Sequence, residues 1–271
     1  MVILNTIIFY DNYNEVTNYC NDLFLLQDTN NVYIEIVVNK IAENEISLLK
    51  EYVSNHDRIG VYFPNENLGY MNGMIVGYER FVQETHIAPD YIIMSNTDII
   101  YNDVMFFSKF INKNYSDDVW VIGPAIYAKH RKSYDNPVAY ERRSKKSVKK
   151  IVLFTRIPFI RVLYVFLSDY KARFRKSGIK ESSYVYEVHG CFFVIKNDLA
   201  VQLSSHKYGM LLYSEESYIA EEVYKSNKKV YYDSDLLITH NEHSVTKKVK
   251  YKKIAKYISS SMKYILENYY E

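Results

Sequence analysis

The chain has 271 residues, of which 48% are hydrophobic and 24% charged, a composition that excludes global disorder and suits one large domain or a domain with an appendage. Net charge is only +2, but residues 129–180 hold 16 Lys/Arg against 3 Asp/Glu, so the rest of the chain is acidic. This division suggests a body that does chemistry and a patch that meets something anionic.

The first residues, Met1 to Phe9, lack the cationic start and the long apolar run of a secretory signal and read as a β-strand over 2–9. Residues 10–14 are a polar loop, and residues 15–26 carry apolar side chains at helical spacing. A second strand over 32–38 ends at Asn39, followed by a helix over 43–54, a short strand over 59–63, a turn at 67–70 and a helix over 71–84. The strand at 90–95 is apolar on both faces, as expected of a buried parallel strand. This alternation predicts an α/β fold with a mostly parallel central sheet and helices on both faces.

The second half is less regular. Strands are expected at 119–123, 184–195, 229–232 and 236–238, with a helix over 217–226 and a basic helical tail from Lys247. Residues 129–150 read as a basic loop, and Glu221 and Glu222 as solvated helix residues. Residues 151–168 are apolar but contain Arg156, Pro158 and Arg161, which argues against a membrane span and for an interfacial amphipathic segment. Cys20 and Cys191 form no metal-type pair and point to a reducing compartment.

The chemistry-bearing stretch is Ser95-Asn96-Thr97-Asp98. A carboxylate just past the end of a parallel strand lies where open α/β sheets bind ligands. Asp98 could hold a divalent cation against a diphosphate there, or serve as a turn or cap residue. His240, after the strand at 236–238, is a further metal-ligand candidate or a hydrogen-bonded strand-end histidine.

Four separated matches resemble bacterial family 2 glycosyltransferases with the GT-A fold. They are the first strand with Tyr10-Asp11-Asn12; Asn67-Leu68-Gly69-Tyr70 with Asn72-Gly73 and Gly77; Ser95-Asn96-Thr97-Asp98; and the series Val188-His189-Gly190-Cys191, Tyr213-Ser214-Glu215-Glu216 and Thr239-His240. Each motif is weak alone; their order and spacing carry the resemblance. It implies an inverting hexosyl- or rhamnosyltransferase that moves a sugar from a UDP- or dTDP-sugar to a surface polysaccharide or lipid-linked glycan, with Mn²⁺ or Mg²⁺ as cofactor. It implies Asp98 and His240 as metal ligands, Glu216 as base with Glu215 beside it, and Tyr10, Asn12, Asn39, Asn67, Gly69, Asn96 and Thr97 around the donor. The family often has Asp after the second strand; Asn39 and Lys40 stand there, which leaves the nucleobase open.

The same resemblance divides the chain into a catalytic domain over 1–245 and a tail over 246–271. The domain has a nucleotide-binding half at 1–125 and an acceptor half at 126–245. Such a protein would be cytoplasmic, peripheral at the inner face of the cell membrane. Arg142-Arg143-Ser144-Lys145-Lys146 and Lys149-Lys150 before the apolar residues, and Lys171, Arg173, Arg175 and Lys176 after them, suit an anionic membrane surface; Lys247, Lys248, Lys250, Lys252, Lys253 and Lys256 in the tail would add to it. A solvated surface is the plain alternative. Nucleic acid ranks behind both, because no zinc-finger or RNA-recognition signature occurs. The competing classes are a non-catalytic nucleotide-sugar-binding partner in a synthesis complex, and a nucleotidyltransferase. The latter lacks its Gly-rich basic loop, because Tyr10 to Asn14 contains neither Gly nor Lys.

Overall fold

The alternating first half folds as its periodicity predicts. In the computed structural model, which describes residues 1–174, 177–241 and 251–270, the strands β1 (Ile3–Tyr10), β2 (Val32–Lys40), β3 (Ile59–Tyr62) and β4 (Tyr91–Ser95) are separated by the helices α1 (Tyr13–Phe24), α2 (Glu43–Ser54) and α3 (Met71–Thr85). Asn12 caps α1 by accepting a hydrogen bond from the Glu15 N–H at 3.2 Å. β1 lies between β2 and β4, parallel to both, and β3 continues the parallel run beyond β2.

The second half adds β5 (Ile99–Tyr101), α4 (Phe106–Asn112), β6 (Val119–Ala128), β7 (Ser133–Tyr134), α5 (Lys145–Thr155), α6 (Pro158–Phe174), β8 (Ser183–Val185), β9 (Phe192–Lys196), α7 (Asn197–Ser204), α8 (Glu215–Lys225), β10 (Lys229–His240) and α9 (Tyr251–Tyr269). The sheet order is β3-β2-β1-β4-β9-β6-β10-β5, with β7 on β6 and β8 on β10. β9 runs antiparallel between β4 and β6, so β1, β2, β3, β4, β6 and β10 all point the same way. Their C-terminal ends meet along one sheet edge, where ligands of such sheets collect.

Several boundaries differ from the sequence reading. The segment expected as a basic loop over 129–150 contains β7 and the start of α5, whose N-cap is Ser144, accepting from the Ser147 N–H at 3.2 Å. The strand expected over 184–195 divides into β8 and β9, and the strands at 229–232 and 236–238 are one strand, β10, interrupted by a register shift between Asp233 and Leu237. Asp233 is fully buried at this irregularity and accepts from Lys113 Nζ at 2.7 Å and Tyr115 Oη at 2.6 Å. Lys247, Lys248, Lys250, Arg175 and Lys176 lie outside the described residues.

One core layer sets Val16, Tyr19 and Leu23 of α1, Leu49 of α2 and the phenylalanines of α4 against the sheet. The other holds Met74 and Tyr78 of α3, Leu199 of α7, Tyr218 and Ile219 of α8, and Met262 and Ile265 of α9. The tail helix is therefore part of the packed core. Glu221 and Glu222, expected as solvated, are buried: Arg142 donates to both Glu221 oxygens at 2.8 to 3.1 Å, and Gln202 donates to Glu222 at 2.7 Å. They face inward because α8 is covered by α9 and by the segment entering α5, which the α8 sequence alone does not reveal.

Candidate active site at the C-terminal edge of the sheet

Asp98 closes the turn between β4 and β5. β5 then doubles back antiparallel to β10, with Ile99 opposite His240, and the Asn241 N–H donates to the Asp98 carbonyl at 2.9 Å. This pairing brings His240 to Asp98. Nε2 of His240 lies 3.3 Å from Oδ1 of Asp98, close enough for an ion pair but misaligned for a hydrogen bond. Asp98 Oδ1 and both ring nitrogens of His240 are buried without a hydrogen-bond partner. Burial acts most strongly on His240 and pulls its pKa down, but Cys191 and Asp98 outweigh it and the imidazole is pushed up to about 11. For Asp98, burial pushes upward and the contact with His240 more than reverses it, so its carboxyl titrates below the ordinary value.

A carboxylate oxygen and an imidazole nitrogen that face each other in a buried position without completing a hydrogen bond are a pair that a cation could complete. Among the described residues no group of three or more His, Cys, Asp or Glu side chains is arranged to hold a metal. Asp98 and His240 could supply two ligands. That number fits Mg²⁺ or Mn²⁺ chemistry, in which waters and phosphate oxygens complete the shell.

The loop from Val188 to Cys191 forms the wall beside this pair. The Asn96 N–H donates to the Cys191 carbonyl at 2.8 Å, and the rings of His189 and His240 are 6.0 Å apart. Beyond the loop lies the start of α8. Glu216 reaches back to accept from the Gly190 N–H at 3.3 Å, and a Cβ on Gly190 would come within 3.0 Å of the Glu216 carboxyl. Glu215 turns the other way: it is buried and accepts from the Tyr213 N–H at 2.7 Å. Burial, assisted by the charge of Glu216, pushes the Glu215 carboxyl up to about 8.

The expected donor residues form two linked groups. Asn39 donates to the Gly69 carbonyl at 2.7 Å and accepts from the Leu68 N–H at 3.0 Å, while Asn67 accepts from the Gly69 N–H at 2.8 Å. Both ends of the Asn39 amide thus hold the 67–69 turn. Gly69 has φ +78°, and a Cβ there would meet the Leu211 carbonyl oxygen at 2.3 Å. In the second group, Glu15 accepts from Asn12 Nδ2 at 2.9 Å and from the Thr97 hydroxyl, joining the loop after β1 to the turn after β4. Tyr10 ends β1, with Lys40 Nζ 5.6 Å from its ring centre.

Sequence reasoning missed Glu15 and Glu187 as parts of this region and gave no role to Tyr70 and Cys191, which it placed within the motifs. The Tyr70 hydroxyl donates to the Gly190 carbonyl at 3.0 Å, and the Tyr70 N–H donates to the Leu211 carbonyl at 3.1 Å, so this residue ties the 67–69 turn to the loop and to the approach to α8. Glu187 is buried, and burial together with the charge of Glu216 pushes its carboxyl up to about 7. Tyr70 is adjacent to a motif glycine; Glu187 has no such signal, because its backbone is held by pairing with Ala139, which is remote in sequence.

No protein-family model matches the chain, and no curated protein matches it in sequence. Solved structures do match in fold. One is GalNAc-T7 with UDP, GalNAc and Mn²⁺, at a TM-score of 0.61 and 11% identity over 89% of this chain and 44% of that one. Another is the mannosyltransferase PcManGT from Pyrobaculum calidifontis in complex with GDP-Man and Mn²⁺, at 0.54 and 7% identity over 88% of this chain and 56% of that one. A third is S. aureus TarS 1-349, at 0.57 and 12% identity over 89% of this chain and 60% of that one. The chain thus has the GT-A-like fold and spans roughly half of each of these longer chains.

Proposed function

We propose that this protein is a metal-dependent, inverting glycosyltransferase that moves a sugar from a UDP- or dTDP-sugar to a surface polysaccharide or lipid-linked glycan. The observation that carries the reading is the approach of Asp98 and His240, buried and unsatisfied, at a sheet edge also reached by Glu216. Asp98 and His240 would hold Mn²⁺ or Mg²⁺. When bound, such a cation neutralises the charge that develops on the departing diphosphate.

Glu216 accepts the proton of the attacking acceptor hydroxyl. Its carboxylate is presented across a glycine, so no side chain intervenes at position 190. Glu215 supports it from within the fold, where burial and the charge of Glu216 push its carboxyl upward. The 67–69 turn and the Asn12–Glu15–Thr97 bridge shape the donor side, with Tyr10 and Asn96 next to them. Asn39 acts there by holding the turn.

Calorimetric titration with UDP, dTDP and GDP, each with Mn²⁺ and with EDTA, tests the reading. Binding of UDP or dTDP that vanishes with EDTA is expected; failure of every nucleotide to bind the folded protein would overturn it. A non-catalytic nucleotide-sugar-binding partner is the second reading, favoured by the neutral Asn96 and by the engagement of Asn39 in the turn. Metal-dependent donor binding without hydrolysis or transfer would select it.

A further inference from the structure

An amphipathic helix of a folded domain ordinarily turns its apolar stripe to the core. α6 does the opposite. Phe159, Leu163, Phe166, Leu167 and Tyr170 recur at helical spacing on one face, and they are 43 to 77% exposed. The end of α5 and the following turn extend this surface with Leu153, Phe154 and Ile157, each more than half exposed. The opposite face of α5 is anchored: Val148 and Thr155 are buried, and the Ser259 hydroxyl of α9 donates to the Thr155 carbonyl at 3.1 Å. The hairpin is therefore seated on the body with its apolar side outward.

The charge along α5 has one sign. Lys145, Lys146, Lys149 and Lys150 line a shallow groove with Leu153, and no acidic residue occurs between Glu141 and Asp169. Bulky apolar side chains next to lysines match the acyl-chain and headgroup layers of an anionic bilayer. Two copies of the patch would repel one another, and a polyanion such as nucleic acid offers nothing to the leucines and phenylalanines. No described helix is long and apolar enough to cross a membrane, which leaves α6 to lie in the plane of the interface.

We infer that the α5–α6 hairpin is a docking surface for an anionic phospholipid bilayer, with the exposed stripe of α6 among the acyl chains and Lys146, Lys149 and Lys150 at the headgroup phosphates. The hairpin is coupled to the candidate active site. Arg142, just before α5, makes its paired hydrogen bonds to Glu221 of α8, the helix that begins with Glu215 and Glu216. Docking consequently holds the N-terminus of α8 at a set height above the lipid. The docking surface stands independently of the sugar-transfer reading.

Co-sedimentation of the full chain with vesicles tests the inference. One set is phosphatidylcholine alone; the other contains about one-third phosphatidylglycerol, at low ionic strength. The protein should pellet with the anionic vesicles and stay in solution with the neutral ones. The double variant Lys149→Gln/Lys150→Gln should bind roughly 20–30-fold more weakly. The double variant Phe159→Ser/Leu163→Ser should lose binding while keeping the wild-type melting temperature, since both side chains are exposed. Failure of the wild-type protein to pellet with anionic vesicles overturns the inference. So does undiminished binding by both variants. A concentration-dependent dimer in sedimentation velocity that the Phe159→Ser/Leu163→Ser variant abolishes also overturns it, assigning the stripe to a second copy instead.

Discussion

Oδ1 of Asp98 and Nε2 of His240 face each other at 3.3 Å although one lies in the turn before β5 and the other ends β10, and neither atom completes a hydrogen bond. On the proposed reading, a cation completes this carboxylate–imidazole pair. Asp98→Asn and His240→Asn should each abolish the metal dependence of nucleotide binding and lower kcat/KM on the order of 10²–10³-fold. Titration calorimetry with and without Mn²⁺ checks the first effect, and donor turnover the second. Unchanged metal dependence in Asp98→Asn would remove Asp98 from the site.

The two adjacent glutamates should separate cleanly. Glu216→Gln is expected to keep donor affinity and lose about 10²–10⁴-fold in kcat, the span of a general base. Glu215→Gln should keep most of the activity, because Glu215 is buried against the Tyr213 N–H and burial pushes its carboxyl well above the ordinary value, which makes a neutral amide a fair substitute. Steady-state kinetics of both variants against the same acceptor decides between them. The reverse ranking would exchange their roles.

Gly69 is the point where the donor-side turn meets the approach to α8. Gly69→Ala places a methyl group against the Leu211 carbonyl and strains a positive φ. Donor affinity should fall and stability should drop by roughly 1–3 kcal/mol. Chemical denaturation and nucleotide titration measure the two effects.

Glu35 gives a pH dependence that does not involve Asp98 or His240. It is buried in β2, with Oε1 lacking a hydrogen-bond partner, and burial pushes its carboxyl up to about 7 against the opposing charge of Arg80. The folded state holds this proton more tightly than the unfolded chain. Its contribution is therefore fully present below about pH 4.5 and is lost as pH rises through about 7, by roughly 1–3 kcal/mol. Urea denaturation at pH 5 and pH 8 should show this loss in the wild-type protein and a smaller one in Glu35→Gln. Equal slopes in both would assign the pH dependence to other groups.

Arg142 holds the buried Glu221 and also donates to the Tyr269 carbonyl at 2.7 Å. Arg142→Ala leaves a buried carboxylate short of its main partner, which should cost about 3–5 kcal/mol in a thermal or chemical melt. Arg142→Ala with Glu221→Gln should recover part of it. A change within about 0.5 kcal/mol would show the pair to be dispensable.

The amino-acid sequence by itself determined the first half of the protein. Apolar runs at period two, helical spacing between them and turn residues at their ends are local signals, so β1 to β4 and α1 to α3 were legible, as was Asp98 past the end of β4. The tertiary structure alone decided the rest. β9 enters antiparallel between β4 and β6 because of long-range pairing, and its insertion splits the apparent strand over 184–195, while Glu187 pairs with Ala139 and is buried. The irregularity at Asp233 depends on Lys113 and Tyr115, which are remote in sequence. Glu221 and Glu222 looked solvated because charge argues for water until a partner is known; α9 and Arg142 supply the cover and the counter-charge. The meeting of Asp98 with His240 rests on β5 pairing with β10, and the outward stripe of α6 on which face of α5 the core takes up. Both are choices among packings that a one-dimensional pattern leaves equal, and burial of the core breaks the tie.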